Sequence, residues 1–182
     1  MIADGIRLDS KGAYGPREDS YLLAEIVERY SYGKVLDVGT GTGIQAIVAA
    51  KKGLDVTASD VDPKALECAR ENARLNRVDI EFVQSDIFSN IKGKYNTIIF
   101  NPPYLPSHWY QLKHTALDGG KQGREFIDRF IAGCRDYAAE DHIFILLESS
   151  FNKYEKDIKR LNAEVAAKKH YFFEDIVVLS FR

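Results

Sequence analysis

The stretch Val35-Leu36-Asp37-Val38-Gly39-Thr40-Gly41-Thr42-Gly43 constrains this chain more than any other. An apolar, β-rich run enters it, and an apolar helical pattern leaves it at Ile44. Alternating glycines between a strand and a helix let a ligand reach the backbone N–H groups of a helix N-terminus. A dinucleotide-binding turn would read G-x-G-x-x-G. Here the spacing is G-x-G-x-G, and Ile44 stands where that pattern needs its third glycine. Asp37, at the end of the strand, would repel a pyrophosphate and suits a cationic ligand.

On either side of this turn, short β-rich runs alternate with amphipathic helices. That pattern belongs to an α/β fold with a mostly parallel sheet. After an irregular leader over 1–16, the periodicity predicts a helix over 17–30. Strands are expected over 34–38, 55–59, 80–84, 97–100 and 142–147, with helices over 44–52 and 63–76. Asp62-Pro63 reads as an N-cap followed by proline at the first helical position. Phe126, Ile127, Phe130, Ile131, Cys134, Tyr137 and Ala138 fall at the three- and four-residue steps of one long core-facing helix. Tyr154, Ile158 and Leu161 mark another helix face, and the last residues, 164–182, read as a closing hairpin.

At 182 residues the chain is expected to be a single domain spanning 1–182. A net charge of −2 is less basic than a dedicated nucleic-acid binder would carry. Cys68 and Cys134 form no CxxC pair and the four histidines add no ligand spacing, so no metal is expected. No apolar run approaches a membrane span, and the start lacks the apolar core of a secretion signal. The expected location is the cytoplasm.

Three acids follow three successive strands. Asp60 stands where an acid can accept both hydroxyls of a ribose. Asp62 competes for that role but is better used as the helix cap. Asp86 could accept from an adenine amine, with Ile87 offering a backbone N–H and apolar contact. Asn101-Pro102-Pro103-Tyr104 follows the fourth strand. The prolines fix the backbone and leave carbonyls free to accept. With the Asn101 side-chain carbonyl and the flat Tyr104 ring, they suit a planar N–H₂ group stacked on the aromatic face. Holding its N–H bonds out of plane would localise the nitrogen lone pair for attack. A helix-poor insert follows, and 106–118 is expected to be a mobile substrate-side loop. Its His108 and His114 read as surface residues rather than as a general base.

In this order, D-x-G-x-G-x-G, Asp60, Asp86 and N-P-P-Y resemble a class I methyltransferase that uses S-adenosyl-L-methionine and targets an amino or amide nitrogen. Tyr14-x-Pro16-Arg17-Glu18-Asp19-Ser20-x-Leu22-Leu23 and Gly119-Gly120-x-x-Gly123-Arg124-Glu125 narrow the resemblance to the HemK/PrmC family. The match is to its short archaeal–eukaryotic branch, which lacks the bacterial helical N-terminal domain. The resemblance implies a Rossmann-like, seven-stranded, mostly parallel sheet with one antiparallel C-terminal strand and helices on both faces. It implies methylation of the glutamine in the Gly-Gly-Gln loop of a class I translation release factor. Ser20, Asp37, Gly39, Gly41, Asp60, Asp86, Ile87 and Asn101 would contact the cofactor. Asn101, Pro102, Pro103 and Tyr104 would hold and stack the target amide. A small zinc-binding activator pairing with the edge strand is implied as a partner. Gly15, and Leu117-Asp118 before the double glycine, depart from the family on the substrate side. Methylation of adenine or guanine amino groups, methylation of lysine, and a non-catalytic cofactor-binding module are the alternatives. The first would need base flipping, and usually extra basic segments that this chain lacks.

Overall fold

The computed structural model describes residues 5–10, 15–107, 118–171 and 173–182. Helix α1 (Glu18–Tyr30) precedes β1 (Lys34–Val38), α2 (Ile44–Lys51), β2 (Asp55–Asp60), α3 (Pro63–Asn76), β3 (Glu81–Gln84) and β4 (Tyr95–Phe100). Then come α4 (Glu125–Gly133), β5 (Ala138–Ser149), α5 (Glu155–Leu161), β6 (Glu164–Tyr171) and β7 (Glu174–Phe181). The sheet order is β3-β2-β1-β4-β5-β7-β6. The first five strands in that order pair in parallel, and β7 runs antiparallel to both β5 and β6. This is the seven-stranded sheet the resemblance implied.

Alternation along the strands divides the core in two, as the two-residue period of a strand buried on both faces requires. In β5, Ile143, Ile145 and Leu147 join the core under α1, α2 and α3, while Phe144 and Leu146 join the core under α4 and α5. Leu23 and Val27 of α1, at helical i,i+4 spacing, are fully buried against the first core. Ile127 and Phe130 of α4 are fully buried against the second.

The fourth helix is shorter than its stripe predicts. It ends at Gly133, Cys134–Tyr137 form a 3₁₀ turn, and Ala138 already opens β5. Two causes combine. Glycine is a poor helix former, and here it lies so close to Phe88 that a Cβ would sit 3.2 Å from the ring. Ala138 also pairs with Tyr95, drawing the chain into the sheet five residues before the apolar run begins at Ile143. The polar start of β5, Glu140 and Asp141, gave no strand signal in the sequence. Asp62 caps α3 as expected, its Oδ1 accepting from the Lys64 N–H at 2.9 Å.

The leader is tied to α3 by two asparagines one helical turn apart. Asn76 accepts from the Arg7 N–H at 3.0 Å and donates to the Arg7 carbonyl at 2.6 Å. Asn72 accepts from the Asp9 N–H at 2.8 Å, and its Nδ2 donates at 2.9 Å to both the Asp9 and Thr42 carbonyls. Asn72 therefore joins the leader to the glycine turn. It is fully buried, so its removal leaves backbone groups without partners. Asn72→Ala is expected to lower stability by about 1–3 kcal/mol, read as a drop in the urea midpoint at constant m-value.

Candidate active site

The carboxyl ends of β1, β2, β3 and β4 gather the residues singled out in the sequence. Gly39, Gly41 and Gly43 have φ of +63°, +55° and +84°. At Gly41 a Cβ would meet nothing within 4 Å, so its outer face is open to a ligand, and its left-handed backbone favours glycine. Asp37 lies beneath this turn, 1% exposed. Its Oδ2 accepts from the Thr40 hydroxyl at 2.6 Å and the Ala46 N–H at 3.2 Å, fixing the start of α2. Burial pushes its carboxyl up to about 7, against the lowering effect of those two donors.

Asp60 accepts once on each oxygen, from Gly41 N–H at 2.9 Å and Asp62 N–H at 3.0 Å. A carboxylate has about four lone-pair sites, so two directions remain for a diol. Burial raises its pKa, with the backbone donors lowering it. The Ser85 N–H donates to the Asp60 carbonyl at 2.9 Å and brings Asp86 and Ile87 to the same edge. Asp86 carries an ion pair that sequence reading missed: Arg129 of α4, 2.7 Å from Oδ2. Ile87 is buried with φ +50°, a left-handed conformation that strains a β-branched residue.

Ser20 is nearly buried, and its Oγ donates to Asp19 Oδ1 at 3.2 Å. Gln45 of α2, another residue the sequence did not single out, donates to the Ser20 carbonyl at 2.9 Å. Its Oε1 is buried without a hydrogen-bond partner.

The N-P-P-Y segment meets α1 through Asp19, to which the sequence, beyond its place in the resemblance motif, gave no role in the site. Asp19 Oδ2 lies 3.5 Å from Asn101 Nδ2 and 3.4 Å from the Tyr104 hydroxyl. A carboxylate only accepts, so it selects the N–H₂ end of Asn101 and turns Oδ1 away. That oxygen is buried and has no partner among the described residues. On its outer side the segment is gripped by the glycine motif. The Gly119 N–H donates to the Leu105 carbonyl at 2.8 Å, and the Ser107 N–H donates to the Gly120 carbonyl at 3.0 Å. The two ends of the insert are thus pinned together. Residues 108–117, with both insert histidines, lie outside the described residues, as does Tyr14.

A parallel sheet with this strand order, an open glycine turn after β1, a spare-capacity acid after β2 and an orphaned amide acceptor after β4 define the class I methyltransferase architecture. The model of the methyltransferase small domain family matches residues 18–172. The chain is 37% identical over 188 residues to the "Putative protein N5-glutamine methyltransferase" of Methanocaldococcus jannaschii, covering 97% of this chain and 95% of that one. It is 43% identical over 110 residues to the release factor glutamine methyltransferase of Deinococcus radiodurans, covering 57% of this chain and 40% of the other. Among solved structures, the ribosomal protein L11 methylase of Lactobacillus delbrueckii subsp. bulgaricus superposes with a TM-score of 0.73 at 25% identity, covering 97% of this chain and 85% of that chain. The chain belongs to the methyltransferase small domain family, within the HemK/PrmC group, and is a methyltransferase. Among the described residues no cluster could hold a metal, and no helix is long and apolar enough to cross a membrane.

Proposed function

We propose that this enzyme methylates the side-chain amide nitrogen of a glutamine, in the Gly-Gly-Gln loop of a class I translation release factor. The observation that carries the reading is Asn101 Oδ1, buried and without a partner among the described residues, while Asp19 holds the other end of the amide. A buried acceptor left unpaired is costly. An N–H₂ donor arriving at the site relieves that cost. The names of the archaeal and bacterial relatives point to the same substrate class.

S-adenosyl-L-methionine supplies a methyl group on a cationic sulfur. On this reading Gly39, Gly41 and the acids beneath and beside them receive the methionyl part, with Ser20 at its flank. Asp60 holds the ribose, and Asp86 with Ile87 faces the adenine. Asn101 and the Pro102 carbonyl accept the two amide hydrogens, Pro103 stiffens the loop, and Tyr104 stacks on the amide plane. The work of these residues is orientation, which is worth roughly 7–11 kcal/mol in favourable cases. No residue is assigned as a strong base, because the amide nitrogen becomes acidic only once alkylated. The same reading treats 1–182 as one catalytic domain acting in the cytoplasm.

The finer partner proposal is a small zinc-binding activator on the outer edge of β3. Support comes from topology: among the described residues β3 ends the sheet and pairs on one side only, with β2. The side chains add less than the sequence implied. Phe82 packs against the first core under the Arg70 guanidinium, and Val83 against the second. The free backbone edge is therefore the available surface for an added strand. Co-expressed activator should co-elute with this chain and separate on Phe82→Pro, which breaks pairing; unchanged co-elution removes the proposal.

Incubation with a release factor and labelled cofactor, followed by mass spectrometry, should add one methyl to the loop glutamine. Modification at a lysine, or of RNA alone, overturns the reading. Asn101→Ala should lower kcat more than about tenfold, at least 1.4 kcal/mol, while leaving the fold and much of the cofactor affinity intact. Asp60→Ala should weaken cofactor binding by about 1.5–3 kcal/mol in calorimetry, the size of a hydrogen bond to a charged acceptor.

A further inference from the structure

Behind the N-P-P-Y segment lies a buried ionic cluster that the transfer reaction does not use. Glu148, near the end of β5, is fully buried, and Asp157 of α5 is 1% exposed. Arg124, the N-cap residue of α4, lies between them. Its Nη1 is 3.3 Å from Glu148 Oε2, and its Nη2 is 2.8 Å from both Asp157 Oδ2 and Asp128 Oδ1. Asp128 is half-exposed, so two buried carboxyls share one buried cation. Two charges of one sign held out of water beside a single guanidinium are unfavourable, and retaining one proton removes the excess. Burial, then the Asp157 charge, pushes the Glu148 carboxyl up to about 8, against the pull of Arg124. Glu148 Oε1 has no hydrogen-bond partner among the described residues, whereas Asp157 Oδ2 takes the Arg124 guanidinium. A proton on Glu148 turns that oxygen from an unpaired acceptor into a donor.

The cluster reaches the substrate-side loop through one residue. Arg124 Nη1 donates to the Asn152 carbonyl at 2.5 Å. Asn152 Nδ2 in turn donates to the Tyr104 carbonyl at 2.8 Å and the Gly123 carbonyl at 2.9 Å. The fit is tight, because a Cβ on Gly123 would strike the Tyr104 carbonyl and the Asn152 amide. The charged groups facing Glu148 are Arg124 and Asp128 from α4 and Asp157 from α5. On β7 its register partner is Val177, and Glu174 instead bonds Ser149.

We propose that Glu148, protonated beside Asp157, acts with it through Arg124 and Asn152, the pair being positioning residues that hold the Tyr104 backbone and the 119–125 segment in register. Their role for catalysis rests on the function proposed above; their effect on the loop does not. Losing the proton sets two buried negative charges beside Arg124, and the clasp on Tyr104 loosens. The linkage has a definite sign. Glu148 holds its proton to about 8 when folded and releases it near 4.5 when unfolded, so its contribution is complete below 4.5 and is lost as pH rises through about 8.

The test compares wild type with Glu148→Gln, whose carboxamide keeps a donor toward Asp157 and cannot ionise. Hydrogen exchange without substrate is read at the amides of Gly119, Gly123 and Glu125, all hydrogen-bonded in the loop. At pH 9, roughly ten in eleven wild-type Glu148 side chains are ionised. After correction for intrinsic base catalysis, these amides should exchange about tenfold faster at pH 9 than at pH 7 in wild type, and less than about twofold faster in Glu148→Gln. With a methylatable substrate, kcat should fall over the same interval in wild type and stay level in Glu148→Gln, with the KM for cofactor unmoved. Equal opening in both proteins, or none in wild type, overturns the proposal. If Glu148→Gln fails to fold, Asp157→Asn carries the same test, because Glu148 is then the one buried carboxyl beside Arg124 and no buried like charge drives an alkaline opening. Exchange that behaves as expected, with no glutamine methylated, rejects the function and retains the clasp.

Discussion

The cofactor half of this enzyme depends on one buried carboxylate. Asp37 closes β1 under the glycine turn with its Oδ2 held by the Thr40 hydroxyl and the Ala46 N–H. Among the described residues no side-chain cation bonds it, and hydroxyl and backbone donors offset its burial only in part. Those bonds decide where the turn ends and where α2 starts. The Thr40 N–H, donating to the Ser59 carbonyl at 2.8 Å, then ties the turn to β2. Asp60, one residue beyond Ser59, is thereby brought onto the Gly41 N–H. The acids at this edge give a cationic ligand a complementary field before any direct contact forms.

The substrate half is built differently, by a loop held from two sides. Asp19 reaches Asn101 and Tyr104 from α1, and Asn152 and Gly119 hold the Tyr104 and Leu105 carbonyls from the opposite side. Two prolines remove backbone freedom between these anchors. A loop so fixed can present one unpaired acceptor without collapsing onto it. That acceptor, Asn101 Oδ1, is left over because Asp19 takes the other end of the amide. The orphaned atom and the flanking grip are two aspects of one arrangement.

Much of the fold was legible because strand and helix periods differ so sharply here. Val35-Leu36 and Ile143 to Leu147 feed alternate cores, and an apolar run bounded by turn residues has few other solutions. The helix that begins at Glu125 was overextended because its stripe continues through Cys134 and Tyr137 in a 3₁₀ turn. These residues still face the core, so burial alone could not locate the end of the helix. Close packing at Gly133 and the pairing of Ala138 with Tyr95 located it. In the site, the glycine turn and N-P-P-Y are contiguous in the chain and carry local chemistry, so they were readable. Asp19, Gln45, Arg129 and Asn152 are not, because each acts across a distance in sequence that only the assembled sheet closes.

The sequence by itself determined the alternation of strands and helices, the glycine turn, the cap at Asp62 and the set of acids at strand ends. Each follows from a period or from backbone chemistry within a few neighbouring residues. The tertiary structure alone decided which end of Asn101 faces outward, that Asp86 pairs with Arg129, and that Glu148 and Asp157 meet at a single guanidinium. Those outcomes depend on donor and acceptor counts and on charges brought together from separate elements. They are set only when burial removes water as the alternative partner.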